Sequence, residues 1–350
     1  MQPVFLGLAG HTLTADERAL FASANPAGYI LFRRNIESPE QVRALTASLT
    51  DLAGRALPIL IDQEGGRVAR LQPPHWPAFP PGAVFGETYE LAPVTAIEAC
   101  RLNALALAAL LRDLGITVDC LPLLDVRDAA GHDIIGDRAY GFEPLRVAAL
   151  GKATLAGLAA GGLVGVVKHI PGHGRAAADS HLELPTVTAS REELERDFIP
   201  FRRLADAPMA MTAHVTYTAL DADRCATLSP TVIDFIRRDI GFGGLLMSDD
   251  LGMKALGDPA SGGMPPGSNG LHDFGARALA SLAAGCDIAL HCSGDFGEMR
   301  AICEAVPAIT PEAAARLDRA LASVGVGDDT SVTHWAEARD ALLAAARGQG

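Results

Sequence analysis

Eight short runs rich in apolar and β-branched residues recur along this chain with helix-like stretches between them. That alternation limits the fold more than any other feature. The runs cover residues 4–8, 29–32, 58–62, 116–120, 163–168, 209–214, 245–249 and 286–291. Helical spacing of apolar residues predicts helices over 39–53, 94–114, 144–160, 192–205, 229–240 and 274–284. The boundaries carry matching signals. Pro39 stands at N1 after Ser38 as N-cap, and Ser190 followed by Glu193 fits a capping box. Gly115, Gly162, Gly241 and Gly285 stand where helices should stop before the next strand. Eight strand–helix units predict a single (β/α)8 TIM-type barrel with extra C-terminal helices, a doubly wound sheet being the competitor. The positions of the polar residues favour the barrel. Asp62, Lys168, His169, His214, Ser248, Asp249 and His291 all fall at or just past the C-terminal ends of predicted strands, which in a barrel converge on one mouth. The expectation is one domain over 1–350, with the barrel at about 1–305 and a helical tail at about 306–350 packed outside it.

The 350 residues are 49% hydrophobic and 20% charged with a net charge of -13. That balance suits a globular protein and argues against nucleic acid or an anionic membrane as partner. The longest uncharged apolar run, between Lys152 and Lys168, is broken by four glycines and is shorter than the ~20 residues a span needs. The N-terminal MQPVFLGLAGH lacks the basic region of a signal peptide. Six scattered cysteines without a C-x-x-C give neither a disulfide framework nor a cysteine zinc site. The expected compartment is cytoplasmic and the expected state a monomer or weak dimer. No phosphate-binding glycine loop and no G-x-S-x-G elbow is present, so no cofactor is expected.

Three segments carry chemistry. In KHIPGHGRAAADSHLELP, Lys168, His169, His173, Asp179 and His181 crowd into a Gly/Pro-broken stretch after an apolar run. Five polar groups there each need a partner if buried, so core packing explains them poorly. His181 lies two residues past Asp179, a spacing that lets a loop hold the imidazole against the carboxylate as an acid/base pair. The same histidines are also compatible with a zinc hydrolase, although Pro171 and Gly172 remove any shared helical face between His169 and His173. In IDQEGGRVARL, Asp62 with Arg67 and Arg70 suits hydroxyl or carboxylate recognition, or a plain loop ion pair. In LLMSDDLGMKAL, Asp249 and Asp250 close a strand, where alternation sends one into the mouth and leaves the other to brace the loop; helix capping by Ser248 or Asp250 is the plainer reading. His214, after MAMTA, either lines the pocket, braces a nucleophile or is a satisfied core histidine. The 120–142 and 257–270 loops are long, and the second is rich in Gly, Pro and Ser.

Taken together, IDQEGGRVARL, IGDRAYG, KHIPGHG, ADSH and MSDDLGM, in that order along the chain, resemble the family-three glycoside hydrolases. The resemblance is to the bacterial cytoplasmic β-N-acetylglucosaminidases of cell-wall recycling, and it runs to about residue 300. It implies a retaining exo-β-N-acetylglucosaminidase acting on N-acetylglucosamine-anhydro-N-acetylmuramyl peptides. Asp249 would be the nucleophile, His181 the acid/base and Asp179 its partner. Asp62, Arg70, Arg138, Lys168 and His169 match residues that hold the sugar, and His214 and Met253 are candidates for the pocket wall; no metal is implied. A histidine in place of the usual carboxylic acid repels phosphate less, which keeps a phosphorylase reading open. A non-catalytic sugar-binding barrel is the reading from outside enzymes.

Overall fold

The computed structural model describes residues 1–129, 135–176, 184–257, 273–327 and 329–348. Eight parallel strands form the centre: β1 (Gln2–Leu6), β2 (Pro26–Leu31), β3 (Ile59–Ile61), β4 (Val118–Asp119), β5 (Val164–Ile170), β6 (Met209–Thr212), β7 (Leu245–Met247) and β8 (Ala289–His291). Neighbours in sequence are neighbours in space from β1 to β7, and β8 returns to pair with β1. The ring closes through a parallel bridge between Met247 and Ile288, with the Ser248 N–H donating to the Ile288 carbonyl. This is a (β/α)8 barrel, and each of the eight predicted runs contains or overlaps one strand.

The helices around it are α1 (Ala15–Ala24), α2 (Pro39–Ala53), α3 (Gly82–Leu91), α4 (Pro93–Asp113), α5 (Pro144–Ala160), α6 (Arg191–Arg203), α7 (Pro230–Arg238), α8 (Phe274–Ala284), α9 (Phe296–Ala305), α10 (Pro311–Leu321) and α11 (Val332–Ala346). Ser38 accepts from the Gln41 N–H, and Ser190 with Glu193 closes the expected capping box. Gly285 ends α8 at φ 113°, a conformation that L side chains rarely adopt. Sequence reading missed α1, α3 and α9. α1 fully buries only Glu17 and Phe21, so it has little apolar stripe to read. Its Thr14–Glu17 capping box was the available signal. α10 and α11 are the extra C-terminal helices, and α11 lies along α4, where the Arg339 Nη1 donates to Asn103 Oδ1 at 2.8 Å. Among the described residues α4 alone is long and apolar enough to cross a membrane, and 67% of its apolar window is buried inside the protein.

Strand alternation divides the core in two. Ile30, Leu60, Val118, Val166, Met211 and Met247 form one buried cluster, the filling of the barrel. Their neighbours Tyr29, Leu31, Ile59 and Ile61 pack outward against Val42, Leu45 and Leu107 of the helices. This parity decides which side chains reach the mouth.

Candidate active site

The functional cavity is the next layer of the barrel filling. Two residues beyond Ile30, Leu60, Val166, Met247 and Leu290 come Phe32, Asp62, Lys168, Asp249 and Cys292, and all five line one cavity of about 220 Å³. The period-2 geometry of a strand keeps i and i+2 on one face, so the apolar residues that fill the barrel are succeeded on three strands by the charged Asp62, Lys168 and Asp249. The volume lies below the ~300 Å³ lower end of drug-sized ligand sites and suits one small ring. Glu64, Arg70, Arg138, His169, His173 and Met253 also line it.

A charge cluster holds one side of the cavity rigid. Lys168 Nζ is 2.9 Å from Asp62 Oδ1 and 2.7 Å from Glu64 Oε1. Arg70 Nη2 donates to Asp62 Oδ2 at 2.8 Å, and Arg138 donates to both oxygens of Glu64 at 2.8 Å. Burial pushes both carboxyls up, but the cations prevail. Lys168 and Arg70 hold Asp62 well below the carboxylate range, and Arg138 with Lys168 holds Glu64 at about 2. An ammonium has three N–H donors, so these two contacts leave one on Lys168 for a ligand oxygen. Sequence reading overlooked Glu64. Its position two residues after Asp62 was the signal that both share a face. Arg67, also singled out, stands at the rim and pairs with Asp137 at 3.0 Å.

Asp125 organises the two histidines of KHIPGHG. Its Oδ1 accepts from the backbone N–H of His169 at 3.2 Å and of His173 at 2.7 Å, while Oδ2 is 2.7 Å from His169 Nδ1. Burial raises this carboxyl, but His169 and His173 bring it down to about 2. Being ionised, it only accepts, so His169 carries its proton on Nδ1 and keeps Nε2 for the cavity. His169 escapes the parity rule because the β5–β6 register shifts between Val167 and Ile170. Burial and the neighbouring His169 depress His173 to about 4, leaving it neutral.

Asp249 and Asp250 both line the cavity but do different things. Asp249 Oδ1 accepts from the Asp250 N–H at 2.8 Å. Asp250 turns back to accept from Gly252 and Cys292 N–H groups at 2.9 and 3.0 Å, bracing the loop. Neither Ser248 nor Asp250 caps a helix: Ser248 Oγ accepts from the Leu290 N–H, across the β7–β8 seam. Of the three readings open for His214, pocket lining is the one the structure does not bear out. His214 is not among the cavity-lining residues; it is fully buried, 2.8 Å from Thr227 Oγ1 and 2.9 Å from the Asp250 carbonyl. The reason is parity, since Met211 points inward and His214 follows the outward set of Thr212. Asp179, His181, His132, Asp133, His272 and the 258–270 part of the predicted long loop lie outside the described residues. Both stems of the segment bearing Asp179 and His181 are described. Tyr217 OH donates to the Gly172 carbonyl at 2.7 Å, and Thr186–Val187 pairs in parallel with Thr216–Tyr217.

A barrel whose mouth carries a partly exposed carboxylate beside a lattice of buried charges has the parts that a glycoside hydrolase uses. The family model for the glycosyl hydrolase family 3 N-terminal domain matches residues 6–325. The beta-hexosaminidase of Aromatoleum aromaticum is 36% identical over 319 residues, 90% of this chain and 86% of its own. That of Alkalilimnicola ehrlichii is 37% identical over 310 residues, 88% and 83%. NagZ from Neisseria gonorrhoeae, solved in complex with N-trifluoroacetyl-D-glucosamine, is 32% identical with a TM-score of 0.83, covering 99% of this chain and 97% of its own. The chain belongs to glycosyl hydrolase family 3, in its β-hexosaminidase branch, and is an enzyme of that hydrolytic class.

Proposed function

We propose that this protein is a retaining exo-β-N-acetylglucosaminidase that removes terminal N-acetylglucosamine from peptidoglycan-derived muropeptides in the cytoplasm, working as a single barrel unit. The observation that carries the reading is the sharing of one ring-sized cavity by the Asp249 carboxylate and the Asp62–Lys168–Glu64–Arg138 lattice. The relative solved with an N-acylated glucosamine supports the choice of sugar.

In this reading Asp249 attacks the anomeric carbon as the bond to the leaving oxygen breaks, and that oxygen takes a proton from His181. The glycosyl-enzyme ester on Asp249 is then cleaved by water, with His181 taking the water's proton. Asp179 holds the tautomer of His181 and favours its protonated form. Asp62, Arg70, Arg138, Lys168 and His169 grip the hydroxyls, and their ion pairs preorganise them before sugar arrives. General acid/base help of this kind is worth ~10²–10⁴ in rate.

The test is release of nitrophenol from the β-N-acetylglucosaminide, with the β-glucoside as control, for wild type, Asp249→Ala and His181→Ala, each with and without chelator and phosphate. Selective turnover that survives chelator, yields free sugar in phosphate and collapses in both variants is expected. A sugar 1-phosphate product would replace hydrolysis by phosphorolysis, and activity abolished by chelator would bring the zinc reading forward.

A further inference from the structure

Behind Asp249 a closed loop of buried hydrogen bonds runs through three side chains that do not reach the sugar cavity. The Asp249 N–H donates to Thr212 Oγ1 at 3.2 Å. Thr212 Oγ1 is 2.8 Å from Thr227 Oγ1, and Thr227 Oγ1 is 2.8 Å from His214 Nδ1. His214 Nε2 is 2.9 Å from the Asp250 carbonyl oxygen. Thr212, Thr227 and His214 are each 0% exposed, so water cannot substitute for a missing partner.

The chemistry of the donors leaves one arrangement of protons. A carbonyl only accepts, so His214 carries its hydrogen on Nε2. Burial lowers the His214 pKa and keeps the ring neutral, which makes Nδ1 an acceptor. Thr227 must then donate to Nδ1. Its rival acceptors are the Ala213 carbonyl, a longer contact at 3.2 Å, and Thr212 Oγ1, and donation to either would leave the Nδ1 acceptor without a donor among the described residues. A hydroxyl has one hydrogen, so Thr227 accepts from Thr212, and Thr212 in turn accepts from Asp249. The order is therefore Asp249 N–H to Thr212, Thr212 to Thr227, Thr227 to His214 and His214 to the Asp250 carbonyl. The Asp249–Asp250 unit is gripped at its first N–H and its last C=O by one directional network.

We propose that Thr227 is a positioning residue for the nucleophile: its hydroxyl sets the direction of this network and so holds the Asp249 carboxylate in line with the anomeric carbon. The inference rests on Asp249 being the nucleophile. Thr227 stands on the Ala226–Leu228 turn, remote in sequence from MSDDLGM, and no motif marks it. Misplacing a reacting group by ~1 Å can cost ~10²-fold in rate, which is the scale available to such a residue.

The experiment compares wild type, Thr227→Val and Thr227→Ser. It measures kcat, KM and the rate at which an activated 5-fluoro N-acetylglucosaminyl fluoride labels the enzyme, with the labelled carboxylate located by peptide mass mapping. Fluoride departs with little need of a proton, so labelling reports on the nucleophile apart from His181. Thr227→Val, nearly isosteric without the hydroxyl, is expected to lower kcat and labelling by ~10- to 100-fold with KM within ~2-fold. Thr227→Ser, which keeps the hydroxyl, is expected to stay within ~3-fold of wild type. Labelling of Thr227→Val at the wild-type rate overturns the inference and leaves the glycosidase reading standing. Equal loss in the Val and Ser variants also overturns it, since packing of the methyl group would then be the cause. Labelling of wild type at a carboxylate other than Asp249 overturns the reading itself and this inference with it. If Thr227→Val does not fold, Thr212→Val and Thr212→Ser are judged by the same criteria.

Discussion

Arg138 holds Glu64 by two parallel N–H···O bonds, each 2.8 Å, across 74 residues of sequence. Both side chains are nearly buried, at 11% and 4% exposure. A bidentate guanidinium–carboxylate pair fixes orientation as well as charge. Lysine supplies charge without the fork. Arg138→Lys is therefore expected to raise KM by ~10-fold or more, at the cost of ~1–3 kcal/mol of stability for the hydrogen bond lost to a charged group. Wild-type KM with only the stability loss would mean that Arg138 braces the wall without touching sugar.

The same carboxylates shape the response to acid. Glu64 is held at about 2 against an ordinary 4.5 by Arg138 and Lys168, and Asp125 at about 2 against 3.8 by its contacts with His169 and His173, in each case against the opposing effect of burial. A depressed folded-state pKa contributes stability that is full above the unfolded value and is lost as pH falls through the folded one. Stability is thus expected to decline between about pH 4.5 and pH 2. The Glu64 shift corresponds to an upper bound of ~3 kcal/mol. Glu64→Gln should flatten the urea-unfolding free energy across this window. Parallel curves for the two proteins would show that Glu64 does not drive the acid loss.

Asp249→Ala is expected to remain folded, because the side chain is only partly buried at the cavity wall. Loss of the nucleophile should lower turnover by at least ~10³-fold. Azide, small enough to enter the space left, should restore release of an activated leaving group and give the α-glycosyl azide. A β-azide, or no rescue with full residual activity, would place the nucleophile elsewhere.

Tyr217 joins the two stems of the segment that bears Asp179 and His181. Its OH donates to the Gly172 carbonyl at 2.7 Å, while its strand pairs with Thr186–Val187 on the far side. Tyr217→Phe removes only the first link. The expected result is a ~5- to 10-fold fall in kcat/KM for poor leaving groups, which need the proton, and little change for dinitrophenol. An equal fall for both would indicate a general packing defect.

Much of this molecule is legible in its sequence because strand and helix periodicity is a local property. All eight strands, the helices at 39–53, 144–160 and 274–284, and the crowding of charge at strand ends follow from spacing alone. The helices that escaped notice, α1, α3 and α9, bury few residues and so leave a weak pattern. Asp62, Lys168 and Asp249 could be identified as mouth residues because each falls at or just past the C-terminal end of a predicted strand, and the structure adds that each continues the inward parity of its strand.

The sequence by itself determined the barrel, the parity that carries polar side chains to its mouth, and the family to which the motifs belong, since each is written within a few neighbouring residues. Only the tertiary structure decided who pairs with whom. Glu64 is shared between Lys168 and Arg138, Asp125 organises both histidines, and His214 leaves the pocket to join Thr212 and Thr227 behind Asp249. Those partners lie on different strands and turns, tens of residues apart. Their contacts depend on barrel closure, which sets distances that no local spacing encodes.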